Sequence, residues 1–292
     1  MKKLIDLHHH VFPHGFKTHN WEIHEDQEEM ERLGIDGVLL SCPLPAESEN
    51  VRKINEFLAK GCSYDPKRYG MLASIPFDNV ENALKEIEYA LDVLKADGFA
   101  VPSNNHSVYL SDDRLDPVFE ELNRRKATIF LHPSPRRAEG NTLKLAGSDD
   151  SAYEYVFDTT RSMMDFIYRG KMQKTPEIRW VIAHGGGTIP YLAYRLSHAS
   201  EWRAAPLDRE TVMSQIRSLY YDLALSADES IYEMIRKLAG AEHIVFGTDY
   251  PPSKEPFIAR SIQKLNHSET FTADEKELVK HGNAEMLFAR FQ

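Results

Sequence analysis

Eight short apolar runs, each followed by a segment with the periodicity of a helix, constrain the fold of this chain more than any other feature of its sequence. The runs occupy residues 4–7, 37–41, 70–76, 98–101, 127–132, 178–184, 219–223 and 243–249. The clearest helical segment follows the third run and places on one face Val80, Ala83, Leu84, Ile87, Leu91 and Leu94. Almost continuously apolar strands are typical of a parallel sheet that helices cover, so the alternation predicts an α/β fold.

The length of the chain favours closure of these strands into a single (β/α)8 TIM barrel, because such barrels need about 250 residues. The alternative is an open, doubly wound sheet, but no glycine-rich phosphate loop follows the first run. The run Gly185-Gly186-Gly187 comes late and is preceded by a histidine. No linker or repeat divides the sequence, and we therefore expect one domain over residues 1–292.

Charge and composition exclude several classes of partner. Lys and Arg total 35 against 45 Asp and Glu, and the net charge of −10 is unlike that of a nucleic-acid-binding protein. No stretch approaches the ~18 consecutive apolar residues of a membrane-spanning helix. The N-terminus reaches Asp6 before the apolar core of a signal peptide is formed, so we expect a cytoplasmic protein. Cys42 and Cys62 are too few for a disulfide scaffold, and we expect both to be buried.

Metal-binding residue types stand at the ends of four of the predicted strands, which is where TIM-barrel enzymes carry their chemistry. These residues are His8, His9 and His10 after the first run, His132 in the fifth, His184 in the sixth and Asp249 in the eighth. Thirteen histidines scattered at random over 292 residues would rarely occupy so many strand ends. Because residues i and i+2 of a strand share a face, His8 and His10 both reach the barrel mouth while His9 points toward the helices.

A mixed set of imidazoles and one carboxylate suits zinc, and also manganese or iron. The spacing therefore predicts one divalent ion held by His8, His10, His132 and Asp249, although any one of these histidines taken alone is as well explained as a core or surface residue. Asp6 precedes His8 by two residues on the same predicted face, where it supports a histidine or makes an ordinary buried hydrogen bond. His184 is either a further ligand or a base, and the sequence alone does not distinguish these two roles.

Four motifs together resemble the amidohydrolase-related decarboxylase family, which includes aminocarboxymuconate semialdehyde decarboxylase and γ-resorcylate decarboxylase. They are Asp6-Leu7-His8-His9-His10, Leu131-His132-Pro133, Ala183-His184-Gly185-Gly186-Gly187 and Gly247-Thr248-Asp249-Tyr250-Pro251, and the resemblance covers nearly the whole chain. It implies that His8, His10, His132 and Asp249 bind one metal ion, usually zinc and in some members manganese. It also implies that His184 takes part in catalysis, and that Arg195 reaches the substrate carboxylate across the interface of a homodimer or higher homo-oligomer.

Other residues refine this expectation. Binuclear amidohydrolases commonly use a lysine at the end of the fourth strand, but this strand ends Val101-Pro102-Ser103-Asn104, which favours a mononuclear site. Phe12 and Tyr250, which follow the metal-binding motifs, are expected either to line the substrate pocket or to pack within loops. Arg136 and Arg137 follow His132 and are candidates to contact a carboxylate or phenolate.

The leading functional hypothesis is a metal-dependent carboxy-lyase, a non-oxidative decarboxylase of a small aromatic or muconate-type carboxylic acid. Asp249 and His184 are the expected proton carriers. The alternative within enzymes is a mononuclear hydrolase or hydratase of the same superfamily, such as a lactonase. A metal-binding protein that lacks catalysis is disfavoured, because no ligand position is missing.

Overall fold

The structure, a computed structural model, describes residues 3–13, 21–134, 150–202 and 205–292. Its strands are β1 Ile5–His10, β2 Gly37–Ser41, β3 Tyr69–Ala73, β4 Gly98–Pro102, β5 Asn104–Asn105, β6 Val108–Tyr109, β7 Thr128–His132, β8 Arg179–Ile182, β9 Tyr220–Asp222 and β10 Ile244–Val245. Eight of these strands form one parallel sheet in the order β1-β2-β3-β4-β7-β8-β9-β10, whereas β5 and β6 form a small antiparallel hairpin.

Backbone hydrogen bonds between the first and last parallel strands close the sheet into a barrel. The amide of Leu7 donates to the carbonyl of Phe246 at 3.1 Å, and the amide of Asp249 donates to the carbonyl of His8 at 2.9 Å. Beyond them, the amide of His10 donates to the carbonyl of Tyr250 at 2.7 Å. The predicted (β/α)8 barrel is confirmed.

Helices alternate with the barrel strands. They are α1 Ile23–Leu33, α2 Ser48–Cys62, α3 Val80–Glu88, α4 Asp116–Arg124, α5 Glu154–Tyr168, α6 Lys171–Lys174, α7 Ala183–Gly186, α8 Ile189–Ser197, α9 Ala199–Trp202, α10 Arg209–Ser218, α11 Glu229–Ala239, α12 Glu255–His267, α13 Ala273–Glu277 and α14 Asn283–Leu287. Within the described ranges, none of the helices has both the length and the apolar character needed to cross a bilayer.

Two layers of apolar side chains hold the barrel together. Leu39, Leu72, Phe130, Val181 and Val245 belong to one buried cluster, contributed by alternate positions of the strands. The larger second cluster packs the outer faces of the strands against the helices, with Ala83 and Ile87 of α3 buried as the periodicity predicts. Close packing of both layers gives the strand ends a rigid frame, which fixes the positions of the polar side chains at the mouth.

Candidate active site

Four side chains converge at the carboxyl-terminal mouth of the barrel. His8 and His10 end β1, His132 ends β7 and Asp249 follows β10, and their candidate ligand atoms all lie within 4.8 Å of one another. The Nε2 atom of His10 lies 3.0 Å from that of His8 and 3.2 Å from that of His132. Asp249 Oδ1 lies 3.2 Å from Nε2 of both His8 and His10. The structure thus brings together the four residues predicted as metal ligands.

The hydrogen bonds around this cluster turn its nitrogen lone pairs inward. Each Nδ1 atom has a partner outside the cluster: Asp222 Oδ2 at 2.5 Å for His8, Ser41 Oγ at 3.0 Å for His10 and the carbonyl of Pro133 at 2.8 Å for His132. Because a carbonyl only accepts, Nδ1 of His132 carries the proton and its Nε2 presents a lone pair. Adjacent ligand atoms around a cation at about 2.1 Å are roughly 3.0–3.4 Å apart. The four separations given above, of 3.0 and 3.2 Å, lie in this range, and the donor types suit one divalent ion.

Burial and the neighbouring charges set the protonation of the ligands. Burial together with the neighbouring His8 lowers the pKa of His10 to about 4, and burial beside His10 and His8 holds the pKa of His132 well below its usual value. Burial opposes the charge of Asp249, but the attraction of His8 and the hydrogen bonds of the surrounding histidines together outweigh it and hold the pKa of Asp249 well below its usual range. Neutral imidazoles beside an ionised carboxylate are the protonation states that a metal ion requires.

His8 differs, because two carboxylates flank it. Burial opposes its charge, yet the attraction of Asp222 and Asp249 outweighs burial and raises the pKa of His8 to about 10. A cation bound at Nε2 would take the place of the proton there, while Nδ1 keeps its bond to Asp222.

His184 lies beside the cluster and is not part of the candidate ligand group found among the described residues. Its Nε2 atom is 3.6 Å from Asp249 Oδ2, and among the described residues neither of its buried ring nitrogens has a hydrogen-bond partner. The backbone here turns sharply: His184 has φ 55°, and a Cβ atom on Gly186 would lie 2.4 Å from the ring of Tyr221. The glycines therefore allow a tight turn that leaves the imidazole with two nitrogens available for a reacting group.

Asp222 is a site residue that the sequence analysis missed. It ends β9 and is completely buried. Its Oδ2 accepts the bond from His8, and its Oδ1 accepts from the backbone amide of His184 at 2.7 Å. A lone acid at the carboxyl end of the seventh apolar run is the signal that would have found it, by the rule that identified Asp249.

His9 points away from the metal cluster, toward the helices, as the strand periodicity predicts. Its Nδ1 lies 3.0 Å from Asp6 Oδ2 and its Nε2 lies 2.8 Å from Asp26 Oδ1. Burial opposes its charge, but Asp26 and Asp6 raise the pKa of His9 to about 10. The expectation that Asp6 shares the face of the ligands is wrong, because the pairing of β1 with β2 shifts register between Asp6 and His9 and so breaks the alternation of faces.

A cavity of about 550 Å³ opens over the cluster, and its walls are mainly apolar. Its lining includes Phe12, Pro43, Leu44, Pro133, Tyr155, Leu225, Pro252 and Phe257, with Ser151, Ser253 and Lys254 as polar members beside His10, His132, His184 and Asp249. Phe12 lies where it was expected, with its ring centroid 5.9 Å from that of His10. Tyr250 does not line this cavity, because its ring stacks on His9 at 4.8 Å.

Arg195, the predicted partner of the substrate carboxylate, is not brought into the cavity of its own chain. It is exposed on α8, with its guanidinium carbon 4.7 Å from the centroid of the Trp202 ring. Arg136 and Arg137 lie outside the described residues.

The end of β4 has no lysine, and the polar side chains at and after this end form hydrogen bonds with Asp158. Ser103 Oγ donates to Asp158, Asn104 Nδ2 donates to the same carboxylate at 2.7 Å, and Tyr109 donates to it at 2.6 Å. Among the described residues, one group of side chains is arranged to hold a metal ion. Both observations agree with a mononuclear site.

Known proteins are similar to this chain in sequence and in fold. The family described as amidohydrolase matches residues 5–290. The decarboxylase macB of Penicillium terrestre is 30% identical over 99% of this chain and 95% of its own length. The 6-methylsalicylic acid decarboxylase acuB of Aspergillus aculeatus is 29% identical over 99% of this chain and 96% of its own length.

A solved structure agrees in fold. Dihydroxybenzoic acid decarboxylase from Polaromonas sp. JS666, crystallised with manganese and the inhibitor 2-nitroresorcinol, has a TM-score of 0.83 at 19% identity and covers 100% of this chain and 98% of its own. The relatives confirm the predicted resemblance and the predicted enzyme class, a metal-dependent decarboxylase. The chain belongs to the amidohydrolase family.

Proposed function

We propose that this enzyme is a non-oxidative decarboxylase of a small ortho-hydroxylated aromatic acid, a compound of the salicylate type. The observation that carries the proposal is a mononuclear cluster of three imidazoles and one carboxylate beneath a mainly apolar cavity. An apolar cavity of this size suits a single substituted aromatic ring. Relatives that act on 6-methylsalicylic and dihydroxybenzoic acids support an aromatic substrate over a muconate-type one.

The proposed resident ion is zinc, with manganese as the alternative. Three imidazoles and one carboxylate are a common zinc donor set, whereas manganese is held mainly by oxygen. The manganese in the Polaromonas enzyme supports the alternative. A divalent ion in this cluster supplies a Lewis acid that binds and orients an anionic oxygen of the substrate.

Asp249 and His184 are proposed to move the proton that the reaction needs. The ring carbon that bears the carboxylate gains a proton, the bond to the carboxylate carbon breaks, its electron pair returns to the ring and carbon dioxide leaves. In this proposal Asp249 Oδ2 holds the proton transiently and His184 replaces it; the separation of 3.6 Å between Asp249 Oδ2 and His184 Nε2 supports the pairing of these two groups. The apolar walls, among them Phe12 and Leu44, favour neutral carbon dioxide over the charged carboxylate.

Arg195 is proposed to complete the cavity of a second copy of the chain in a homodimer. Exposed aromatic side chains surround it on α8 and α9: Tyr191 is 80% exposed, Tyr194 74% and Trp202 49%. Large exposed aromatic residues around an arginine are typical of the core of a protein interface. We also propose that residues 1–292 form one domain and that the protein is cytoplasmic.

The first experiment measures carbon dioxide released from a panel of hydroxybenzoates by protein loaded with zinc or with manganese. We expect release from at least one ortho-hydroxylated acid, and its loss in His184→Ala and Asp249→Ala. The matched control is His267→Ala, which removes an exposed imidazole at the end of α12. No release from any acid with either metal would contradict the proposal, and label from isotopic water in a product formed without carbon dioxide would indicate a hydrolase or hydratase.

A second experiment tests the role of Arg195 across the interface. Arg195→Ala and His184→Ala are each expected to be inactive alone, but a mixed dimer has one cavity with both native residues. Random pairing makes half of the dimers mixed, so re-association should restore about a quarter of the native activity. No recovery in proven mixed dimers would contradict this role.

A further inference from the structure

The pairing of β1 with its neighbour β2 is irregular next to the metal-binding end of β1. The pairing of β1 with β2 shifts register between Asp6 and His9, which is the stretch that includes the ligand His8. A bulge of this kind locally disrupts the ladder of backbone hydrogen bonds and bends the strand. His9 and His10 are paired with Leu40 and Ser41 beyond the shift, but His8 lies within it, so the direction of His8 depends in part on contacts made outside the ladder between β1 and β2.

His9 supplies such contacts from the face opposite to the metal cluster. Its ring nitrogens lie 3.0 Å from Asp6 Oδ2 and 2.8 Å from Asp26 Oδ1, and its ring stacks on Tyr250 with an interplanar angle of 29°. The ring is 1% exposed, so these contacts are made away from water. Because His9 stands between two ligands, fixing its side chain fixes the backbone from which both ligands project.

Asp26 connects this ring to the rest of the fold. It lies on α1 and is 1% exposed. Its Oδ1 accepts from His9 and, at 2.9 Å, from Trp21 Nε1, whereas its Oδ2 accepts from the hydroxyl of Tyr69 at 2.9 Å. Tyr69 begins β3, so one carboxylate ties a helix and a second strand to the middle residue of the metal-binding motif. A carboxylate whose two oxygens accept three bonds is held in a single orientation.

We propose that Asp26 is a positioning residue of the metal site, which acts through His9 to fix the backbone between the two histidine ligands of β1. Asp26 touches neither the ion nor the substrate. The inference rests on the metal site alone and holds for any substrate that the cavity takes.

The test is the affinity of the full chain for Zn²⁺, measured by competition with a chromophoric chelator after the protein has been stripped of metal. Asp26→Asn and His9→Asn are each expected to weaken zinc binding about tenfold, the lower end of the effect of outer-shell partners. His9→Asn leaves Trp21 and Tyr69 bonded to Asp26 and so tests the connection even where Asp26→Asn does not fold. The double variant should bind zinc no more weakly than His9→Asn alone, because Asp26 is proposed to act only through His9.

Two controls separate positioning from general stability. Glu25→Gln removes a charge from the same helix at an exposed position, and it should leave zinc affinity unchanged. Tyr168→Phe, at the end of α5, removes a hydroxyl that donates to the carbonyl of Leu196 at 2.7 Å, far from Asp26 and His9; it should lower the melting temperature while zinc affinity stays native. Native zinc affinity in His9→Asn would overturn the proposal, as would effects of Asp26→Asn and His9→Asn that multiply in the double variant.

Discussion

Asp222 offers the clearest quantitative prediction, because its carboxylate orients a proposed metal ligand and the turn that carries His184. Its Oδ2 lies 2.5 Å from His8 Nδ1, and both side chains are 0% exposed. A buried hydrogen bond to a charged group contributes roughly 1.5–3 kcal/mol. Since about 1.4 kcal/mol is a factor of ten, Asp222→Asn should weaken zinc binding about 10- to 100-fold.

Asp222→Ala should cost more than Asp222→Asn. Besides the bond to His8, it removes the acceptor of the backbone amides of His184 at 2.7 Å and Ala224 at 3.1 Å, and so leaves three buried donors without partners. Chelator competition for zinc measures both variants, and Glu233→Gln is the control, because its carboxylate pairs with Lys237 on the exposed surface. Zinc affinity within threefold of native in Asp222→Asn, less than the ~10-fold minimum for such partners, would refute the reasoning.

Three further predictions concern stability and reactivity. Gly186→Ala should lower the free energy of unfolding by at least ~1–2 kcal/mol, because φ is +79° and the new Cβ meets Tyr221; an unchanged denaturation midpoint would contradict this. Phe130→Ala should cost about 3–5 kcal/mol by opening a cavity inside the barrel, whereas a cost under ~1 kcal/mol in chemical denaturation would contradict that packing. Burial raises the pKa of Cys62 to about 12, and Cys42 is also buried. A thiol reagent should therefore label neither cysteine in native protein near neutral pH, and both after denaturation. Rapid labelling of the native protein would contradict the burial.

The sequence predicted the barrel and the metal cluster because both follow from short-range rules. Almost continuously apolar runs identify buried parallel strands, and the rule that chemistry lies at strand ends selects His132 and Asp249 from residues far apart in the chain. The two-residue period of a strand then distinguishes His8 and His10 from His9. These rules need no knowledge of how distant elements pack.

The parts that the sequence did not predict depend on packing. The bond between His9 and Asp26 requires the placement of α1 against the barrel, and the register shift after Asp6 has no signature in residue types. Tyr250 directly follows the proposed ligand Asp249, but its ring stacks on His9, and the sequence alone does not indicate this contact. The strand-end rule could have selected Asp222 as a site residue, but its bond to His8 depends on how β9 packs beside β1.

The most direct measurement of the central claim is the metal content of the purified protein. Elemental analysis should find one divalent ion per chain after loading with zinc, and markedly less in His132→Ala and Asp249→Ala, each of which removes one of the four converging side chains. His267→Ala, which changes an exposed histidine, should retain the full amount. A loaded protein with no bound ion, with two ions per chain, or with full metal content in both ligand variants would contradict the account.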